Sequence, residues 1–554
     1  MRLIILIVFL LGVCVTGVSG FRITEFCPDP YIHDDADEYI VLSGTGLLDP
    51  VTISDGKGGF RFPPGARSKG SVTIARSGPA YRESHGRYPD FEWQDHSSDV
   101  PDVISGDILR LANSGDTLMV YENGQLVQKV SWPGDVRARE GQVHYREGEV
   151  WDPRPLMLGQ SRFAPATFHN VTITAFVSPD SSLAAFTTAV DGAREEILVN
   201  IYEISCPEIS GSLVAARNRN VTVTVLVEGG PVGGIPPEEK AALWALNQSG
   251  IPVYAMAPPK GGHAPYRYDH AKYLVIDRKS VVITSENFKY SGFPPEGTSG
   301  NRGWGVIADD NDLAGYFVSV FTTDLRNPSV KPIPGTPGEM ESVTAGRHVP
   351  EFTPQRFTGS SVQPILAPDT SGEILALIDS ASSEIEIEQA YITNESSGCL
   401  NPYLAAAVNA SRRDVRVRVL LDSYWYNTED PADNDEMAAL INRIAREEHL
   451  PLEARCADLE TTGLEKIHNK GVIVDDRKVL VSSINWNSNS PNFNREAGLI
   501  IEHPETARYF REVFDDDWNA SIQSPEPQTD YVRIAAVIGV LILLAFVWYR
   551  RHRR

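Results

Sequence analysis

One string of residues occurs twice in this chain, in register. The first copy reads Tyr268-Asp-His-Ala-Lys-Tyr-Leu-Val-Ile-Asp277 and continues to Val-Ile-Thr-Ser-Glu-Asn287. The second reads Lys466-Ile-His-Asn-Lys-Gly-Val-Ile-Val-Asp475 and continues to Leu-Val-Ser-Ser-Ile-Asn485. The aliphatic runs predict a strand in each copy, and the short turn after Asp277 or Asp475 predicts a second. Side chains alternate faces along a strand, so His270 and Lys272 share one face, as do His468 and Lys470. Ser285 with Asn287, and Ser483 with Asn485, share a face in the following strand. Each copy thus offers an imidazole, an ammonium, a hydroxyl and an amide, a set suited to a phosphate and to attack on it.

The repeat extends beyond these strings. Glu196–Glu203 resembles Glu384–Tyr391, and Val221–Val227 resembles Val415–Leu421, each of the latter pair preceded by a helical pattern. Asn301-Arg-Gly-Trp-Gly-Val-Ile307 matches Asn494-Arg-Glu-Ala-Gly-Leu-Ile500, and Phe317–Phe321 and Phe510–Phe514 fall on closing helices. Alternating strands and helices predict two α/β halves packed face to face.

Both strings resemble the paired signature of the phospholipase D superfamily, over roughly residues 170–520. They depart from it at Thr284 and Ser482, where the family usually has glycine. The resemblance implies one active site built from both halves, with His270, Lys272, Asn287, His468, Lys470 and Asn485 at the phosphodiester and Ser285 and Ser483 as phosphate contacts. It assigns attack to His270 and acid–base work to His468, through a phosphohistidine that water hydrolyses. No metal or other cofactor is expected. Asp277 and Asp475 point away from the histidines by alternation and are read as holding the strand-end turn. Glu496 stands where the family has a carboxylate that orients histidine, and Gly303 occupies the aligned position in the first half. Glu496 is therefore expected to keep His468 protonated, with His270 unpaired and neutral, unless a carboxylate such as Glu296 fills the gap.

Residues 21–165 lack the repeat. Short strands between Gly/Pro turns, with an Asn123-Gly124 hairpin, predict a β-sandwich. The segments Ile23–Phe26, Asp37–Leu42, Asn113–Leu118 and Val130–Trp132 resemble the lamin-tail family, which implies an immunoglobulin-like fold.

The ends carry their own signals. Residues 1–20 read as a signal peptide. The apolar stretch 532–549, above a stalk at 521–531 and before the basic tail 550–554, reads as a single membrane-spanning helix with the tail cytoplasmic. Asn170, Asn220, Asn247, Asn394, Asn409 and Asn519 begin Asn-x-Ser/Thr sequons, which agrees with an exported glycoprotein. Beyond the leader stand Cys27, Cys206, Cys399 and Cys456; Cys399 with Cys456 is the preferred disulfide. No Cys-x-x-Cys or His-x-x-x-His spacing suggests zinc.

The expected fold class is α/β: two pseudo-symmetric phospholipase D-type α/β halves at 170–326 and 359–520, joined by a linker at 327–358. An all-β immunoglobulin-like sandwich precedes them and a single transmembrane helix follows. A net charge of −23 argues against a general nucleic-acid-coating role, while leaving room for a small cationic cleft. The function expected is that of an extracellular, membrane-anchored phosphodiesterase. Nucleic acid is the favoured substrate and membrane phospholipid the second, and a surface binding protein with a decayed site is the third reading. Tyr424-Trp425-Tyr426 is a candidate for stacking on bases.

Overall fold

The structure is a computed structural model that describes residues 20–132, 140–147, 150–152, 154–258, 263–343, 346–395, 398–428 and 433–521. The chain forms two compact units, residues 1–159 and 160–554.

The first unit is built on two sheets. One contains Arg22–Cys27, Tyr39–Leu47 and Arg67–Ala75 in antiparallel array, and the other contains Val51–Ser54, Gly59–Arg61, Asp116–Glu122 and Gln125–Trp132. Ile23, Phe26, Ile40 and Leu42 from the first sheet pack with Val51, Ile53, Leu118 and Val120 from the second in one buried cluster. Period-2 alternation thus gives each sheet one apolar face, and the faces close on each other. Asn123 and Gly124 join the hairpin Asp116–Glu122/Gln125–Trp132 at φ 53° and 77°. Positive φ at both residues is what a two-residue turn needs to match strand twist, and Asn-Gly supplies it with least strain. The short helix Gly78–His85 starts on a Ser77 cap and ends at Gly86, φ 72°.

The second unit holds one 15-stranded sheet whose two sides repeat each other. In the first half Glu196–Ile201 pairs in parallel with Thr222–Glu228, and that strand with Val253–Met256. On its other edge Glu196–Ile201 pairs antiparallel with Lys272–Ile276, which turns into Ser280–Thr284 and then meets Gly303–Asp309. The second half repeats this order with Glu384–Gln389, Arg416–Leu421, Leu452–Cys456, Lys470–Val474, Lys478–Ser482 and Glu496–Glu502. The long strands Phe168–Ser178 and Gln355–Ala367 pair antiparallel and join the halves edge to edge. Parallel pairs need crossovers, and the helices Pro207–Asn218 and Pro237–Gln248 provide them in the first half, each with proline in its first turn.

A shared core lies between the halves. Helices Asn311–Leu325 and Pro504–Ala520 bring Phe317, Phe321, Phe510 and Phe514 into one buried cluster with Tyr273, Ile283, Trp304, Val481 and Leu499. Trp304 lies 4.9 Å from Phe510 across the divide, centroid to centroid. Each such ring, fully buried, contributes about 1.5–3 kcal/mol, so separating the halves would expose the rings that this shared cluster buries. Separate outer clusters pack the crossover helices on the far face of each half.

Two expectations are corrected here. The fold is mixed α/β, but no helix among the described residues is long and apolar enough to cross a membrane. The transmembrane helix expected at 532–549 lies outside the described residues, as do the rest of the stalk and tail from 522 on and leader residues 1–19. The Cys399–Cys456 disulfide is not formed either. Cys456 ends the strand Leu452–Cys456, which pairs with Arg416–Leu421 and not with the strand that leads towards Cys399, and its thiol reaches the Asn434 carbonyl at 3.8 Å.

Candidate active site

The histidines sit where each half hands its backbone to the other. His270 N donates to the Arg495 carbonyl (2.8 Å) and Arg495 N to the Tyr268 carbonyl (2.9 Å). On the other side His468 N donates to the Arg302 carbonyl (2.9 Å) and Arg302 N to the Lys466 carbonyl (2.8 Å). The arginine of each half thus edges the histidine segment of the other.

Buried ion pairs hold that arrangement. The Arg302 guanidinium donates to Asp517 Oδ2 and to Asp180 Oδ2, both at 2.7 Å. The Arg495 guanidinium donates to Asp324 Oδ1 (2.8 Å) and Asp369 Oδ1 (3.0 Å). Each arginine has one carboxylate from its own half and one from the opposite half, so each guanidinium is shared between two carboxylates and the clamp spans the divide.

The carboxylates that orient the histidines cross over as well. His270 Nδ1 lies 3.0 and 2.9 Å from the two oxygens of Glu496. His468 Nδ1 lies 3.2 Å from Glu286 Oε2. Nδ1 donation to a carboxylate leaves Nε2 of each ring as the nitrogen that can attack or carry a proton. The expected pairing of Glu496 with His468 is therefore overturned: Glu496, not Glu296, fills the gap at His270, and Glu286 serves His468.

The two pairs differ in how firmly the carboxylate is held. Glu496 accepts from Ser483 Oγ (2.6 Å), Ser490 Oγ and Asn494 Nδ2 (3.0 Å) as well as from His270. Burial opposes its ionisation, yet His270, Lys272 and Ser483 hold it below the ordinary glutamate value. Glu286 has Asn301 Nδ2 at 2.9 Å beside His468, and its other oxygen has no hydrogen bond. Burial pushes Glu286 up to about 7 against the pull of Lys470. Burial lowers His270, with Glu496 opposing. Burial, then Lys470, Lys466, Lys272 and His270, hold His468 well below the ordinary imidazole value.

These charges describe one cleft. Lys272 and Lys470 are fully buried, and each Nζ donates to the carbonyl of its own histidine. Burial lowers Lys272 to about 8 and takes Lys470 well below its usual value. A phosphodiester between them would restore both charges and be held by them. The Oδ1 atoms of Asn287 and Asn485 are buried with no hydrogen bond within the protein.

Ser285 and Ser483 occupy a different place from the one expected. Both are fully buried: Ser285 Oγ accepts from Trp304 N (3.1 Å), and Ser483 Oγ donates to Glu496. They brace the site from behind and are not phosphate contacts. Thr284 and Ser482, in place of glycine, use their hydroxyls to close the turn, accepting from Glu286 N (3.1 Å) and Ile484 N (3.4 Å). Asp277 accepts from the backbone N–H groups of Arg194, Glu195 and Glu196, and Asp475 from those of Ser382, Ser383 and Glu384. Both stand at positive φ, 53° and 54°, and stitch the hairpin turn to the neighbouring strand.

A family model described as "Cardiolipin synthase, PLD-like domain" matches residues 186–325 and 374–518, just over half of the chain. The chain belongs to this phospholipase D-like family. It is 32% identical over 162 residues to mouse mitochondrial cardiolipin hydrolase, covering 28% of this chain and 66% of that protein. It is 36% identical over 62 residues to the Danio rerio protein of the same name, 11% of this chain and 27% of that one. The chain thus spans less than two thirds of the curated relatives it matches. Among solved structures, NUC from Salmonella typhimurium, a phospholipase D family member, has 22% identity and a TM-score of 0.26, covering 29% of this chain and 98% of its own. Phosphatidylserine synthase from Haemophilus influenzae has 15% identity and a TM-score of 0.48, covering 67% and 94%.

Sequence reasoning missed Glu286, Arg302 and Arg495 as working parts. Glu286 was visible as the middle residue of Ser285-x-Asn287, where the second half has Ile484. A carboxylate beside a buried strand end, in the half that lacks one at Gly303, was the available signal.

Proposed function

We propose that this protein is a metal-independent phosphodiesterase that cleaves nucleic acid through a covalent phosphohistidine. The observation that carries the reading is the crossed pair His270–Glu496 and His468–Glu286 beside Lys272 and Lys470. Two Nε2 atoms at one phosphodiester allow one neutral imidazole to attack phosphorus while the other, protonated, delivers its proton to the leaving oxygen. The P–O bond to the leaving group breaks as the N–P bond forms. Water, deprotonated by the second histidine, then attacks phosphorus and releases the first. The lysines and Asn287 and Asn485 offset charge on the non-bridging oxygens.

The geometry bears on which histidine does which. His270 shares an ionised, four-donor carboxylate, and His468 is surrounded by ammonium groups with a weakly held partner. His270 is the ring that keeps its proton to higher pH, so we assign it as the acid and His468 as the nucleophile. This reverses the order implied by family resemblance.

A phosphodiester lipid is the second reading, supported by the name of the mouse relative, a cardiolipin hydrolase. An extracytoplasmic location belongs to the proposal on the leader-like residues 1–20 and the sequons, of which Asn170, Asn220, Asn409 and Asn519 are exposed. The first unit is proposed to be a lamin-tail-like module, on its two packed, largely antiparallel sheets.

The test offers single-stranded DNA, RNA, duplex DNA and cardiolipin to the protein in excess chelator, beside His270→Ala and His468→Ala. Cleavage of nucleic acid, lost in both variants, is expected. Hydrolysis of cardiolipin alone would move the protein to the second reading. Silence on all four by folded protein would leave a binding role.

A further inference from the structure

The two sides of the cleft are not equivalent. Two residues before each histidine, the first half carries Tyr268 and the second Lys466. Along extended backbone two residues span about 7 Å and share a face, so Lys466 extends the cation row one step beyond His468. Its Nζ lies 2.9 Å from Tyr426 Oη and 5.6 Å from the centre of that ring.

Tyr426 belongs to a cluster of three rings. Its centroid is 4.9 Å from that of Tyr424 and 5.6 Å from that of Trp425. Trp425 is 59% and Tyr426 44% exposed, so large ring faces stand open to solvent beside a cation in a chain of net charge −23. The cluster is also fixed relative to the chemistry. Asp422 accepts from Ile467 N (2.7 Å), next to His468, and from Asn427 Nδ2 (2.8 Å), at the end of the ring-bearing turn. One carboxylate thus ties turn and catalytic strand together. In the first half Glu228 does the same for Asp269 N (2.6 Å), but Gly229-Gly230-Pro231-Val232 follow it, and the ring beside the cation there, Tyr202, is buried against His270 (centroids 4.6 Å).

We propose that Lys466, Tyr426 and Trp425 form a subsite for the nucleotide next to the scissile bond of a single-stranded nucleic acid, Lys466 taking the neighbouring backbone phosphate and the rings its base. The proposal rests on the nuclease reading above. Ring faces beside cations suit unstacked bases, whereas a duplex keeps its bases stacked on each other. Since among the described residues the exposed rings beside a cation stand on the His468 side, while Tyr202 beside Lys272 is buried, the enzyme reads polarity: a phosphate added on one side of the scissile bond accelerates cleavage and one added on the other side does not.

The experiment compares kcat/KM for a dinucleoside monophosphate with that for trinucleotides extended on the 5′ or the 3′ side, using the whole protein. Wild type is expected to gain from one extension only. Lys466→Gln should reduce that gain about tenfold, the worth of one charge-assisted contact, read as the ratio of trinucleotide to dinucleotide kcat/KM so that any effect on His468, common to both substrates, cancels. Tyr426→Ala should do the same, and Tyr426→Phe, which keeps the ring, should restore most of the gain. A thermal melt equal to wild type shows that each variant is folded. A gain in wild type that survives unchanged in folded Lys466→Gln overturns the subsite and leaves the nuclease reading standing. Wild type that cleaves cardiolipin but no oligonucleotide overturns both. A Lys466→Gln variant that loses discrimination between cardiolipin and a one-phosphate lipid, with oligonucleotide rates unaffected, assigns the subsite to lipid and also overturns the proposal.

Discussion

Glu286 occupies the space that a side chain at Gly303 would need: a Cβ built at Gly303 meets Glu286 Oε1 at 2.3 Å and Cγ at 2.5 Å. Gly303 is the positional equivalent of Glu496, the carboxylate of the other pair. The halves therefore deliver the same group to the same place from different positions in the sequence, and the glycine is what admits the exchange.

This relationship is directly testable. Gly303→Ala should displace Glu286 and lower kcat on the order of a hundredfold, as should Glu286→Gln, by loss of histidine orientation. The double variant Gly303→Glu with Glu286→Ile copies the arrangement of the second half and should recover activity relative to either single change. Steady-state kinetics on any cleavable phosphodiester checks all three.

The pH profile follows from the histidines. Attack requires neutral His468, and leaving-group departure requires protonated His270. Burial sets both below the ordinary value of 6.5 in the unliganded protein. As pH rises through the His270 value the acid is lost, so kcat/KM should fall on the acid side of 6.5. A bound phosphodiester anion favours imidazolium, so the limb of kcat should lie at higher pH than that of kcat/KM.

Stability should fall as pH rises from about 6.5 to 8. Burial raises Glu38 and Glu239 to about 8 and Glu386 to about 7, from an ordinary 4.5. In that window the fold holds protons that the unfolded chain has released, so each such acid stabilises below its unfolded value and loses that contribution as pH passes its folded one. The buried histidines act in the opposite sense only below 6.5, where the unfolded chain begins to bind protons that they exclude. Tm measured across the window should decline, less steeply towards pH 8, where Lys272, lowered to about 8, sheds a proton that the unfolded chain keeps.

Breaking the Arg302 clamp should cost more than a surface pair. Arg302→Ala leaves Asp180 and Asp517 buried without their cation, which costs about 3–5 kcal/mol. Because Asp517 comes from the other half, the loss should appear as one cooperative destabilisation of the whole second unit in denaturant melts.

Much of this molecule was legible in its sequence. The repeat placed both histidine–lysine strands and the closing helices, and short strands between Gly/Pro turns placed the two-sheet first unit, because hydrophobic period and turn chemistry are local. What was not legible was which half supplies each partner. Glu496 reads as a neighbour of His468 along the chain and lies on His270, because the joining strands Phe168–Ser178 and Gln355–Ala367 bring the halves together with their site segments crossed. Ser285 and Ser483 failed for a related reason. Alternation gives the face of a side chain, but burial by the strand Gly303–Asp309 or Glu496–Glu502 decides what that face meets. The stretch 532–549 was read from hydropathy alone, and no membrane-crossing helix is present among the described residues.

The central claim is a covalent intermediate carried by one histidine and released by the other, with no metal taking part. It is tested most directly by acid-labile phosphohistidine trapping: the protein is mixed with a phosphodiester in excess chelator, quenched in alkali within the first turnover, digested and mapped by mass spectrometry. The account predicts a phosphoryl adduct on His468, accumulating in His270→Asn, where hydrolysis lacks its base, and absent in His468→Asn. An adduct on His270 would reverse the assignment of roles. Turnover with no adduct on either histidine would contradict the covalent mechanism itself.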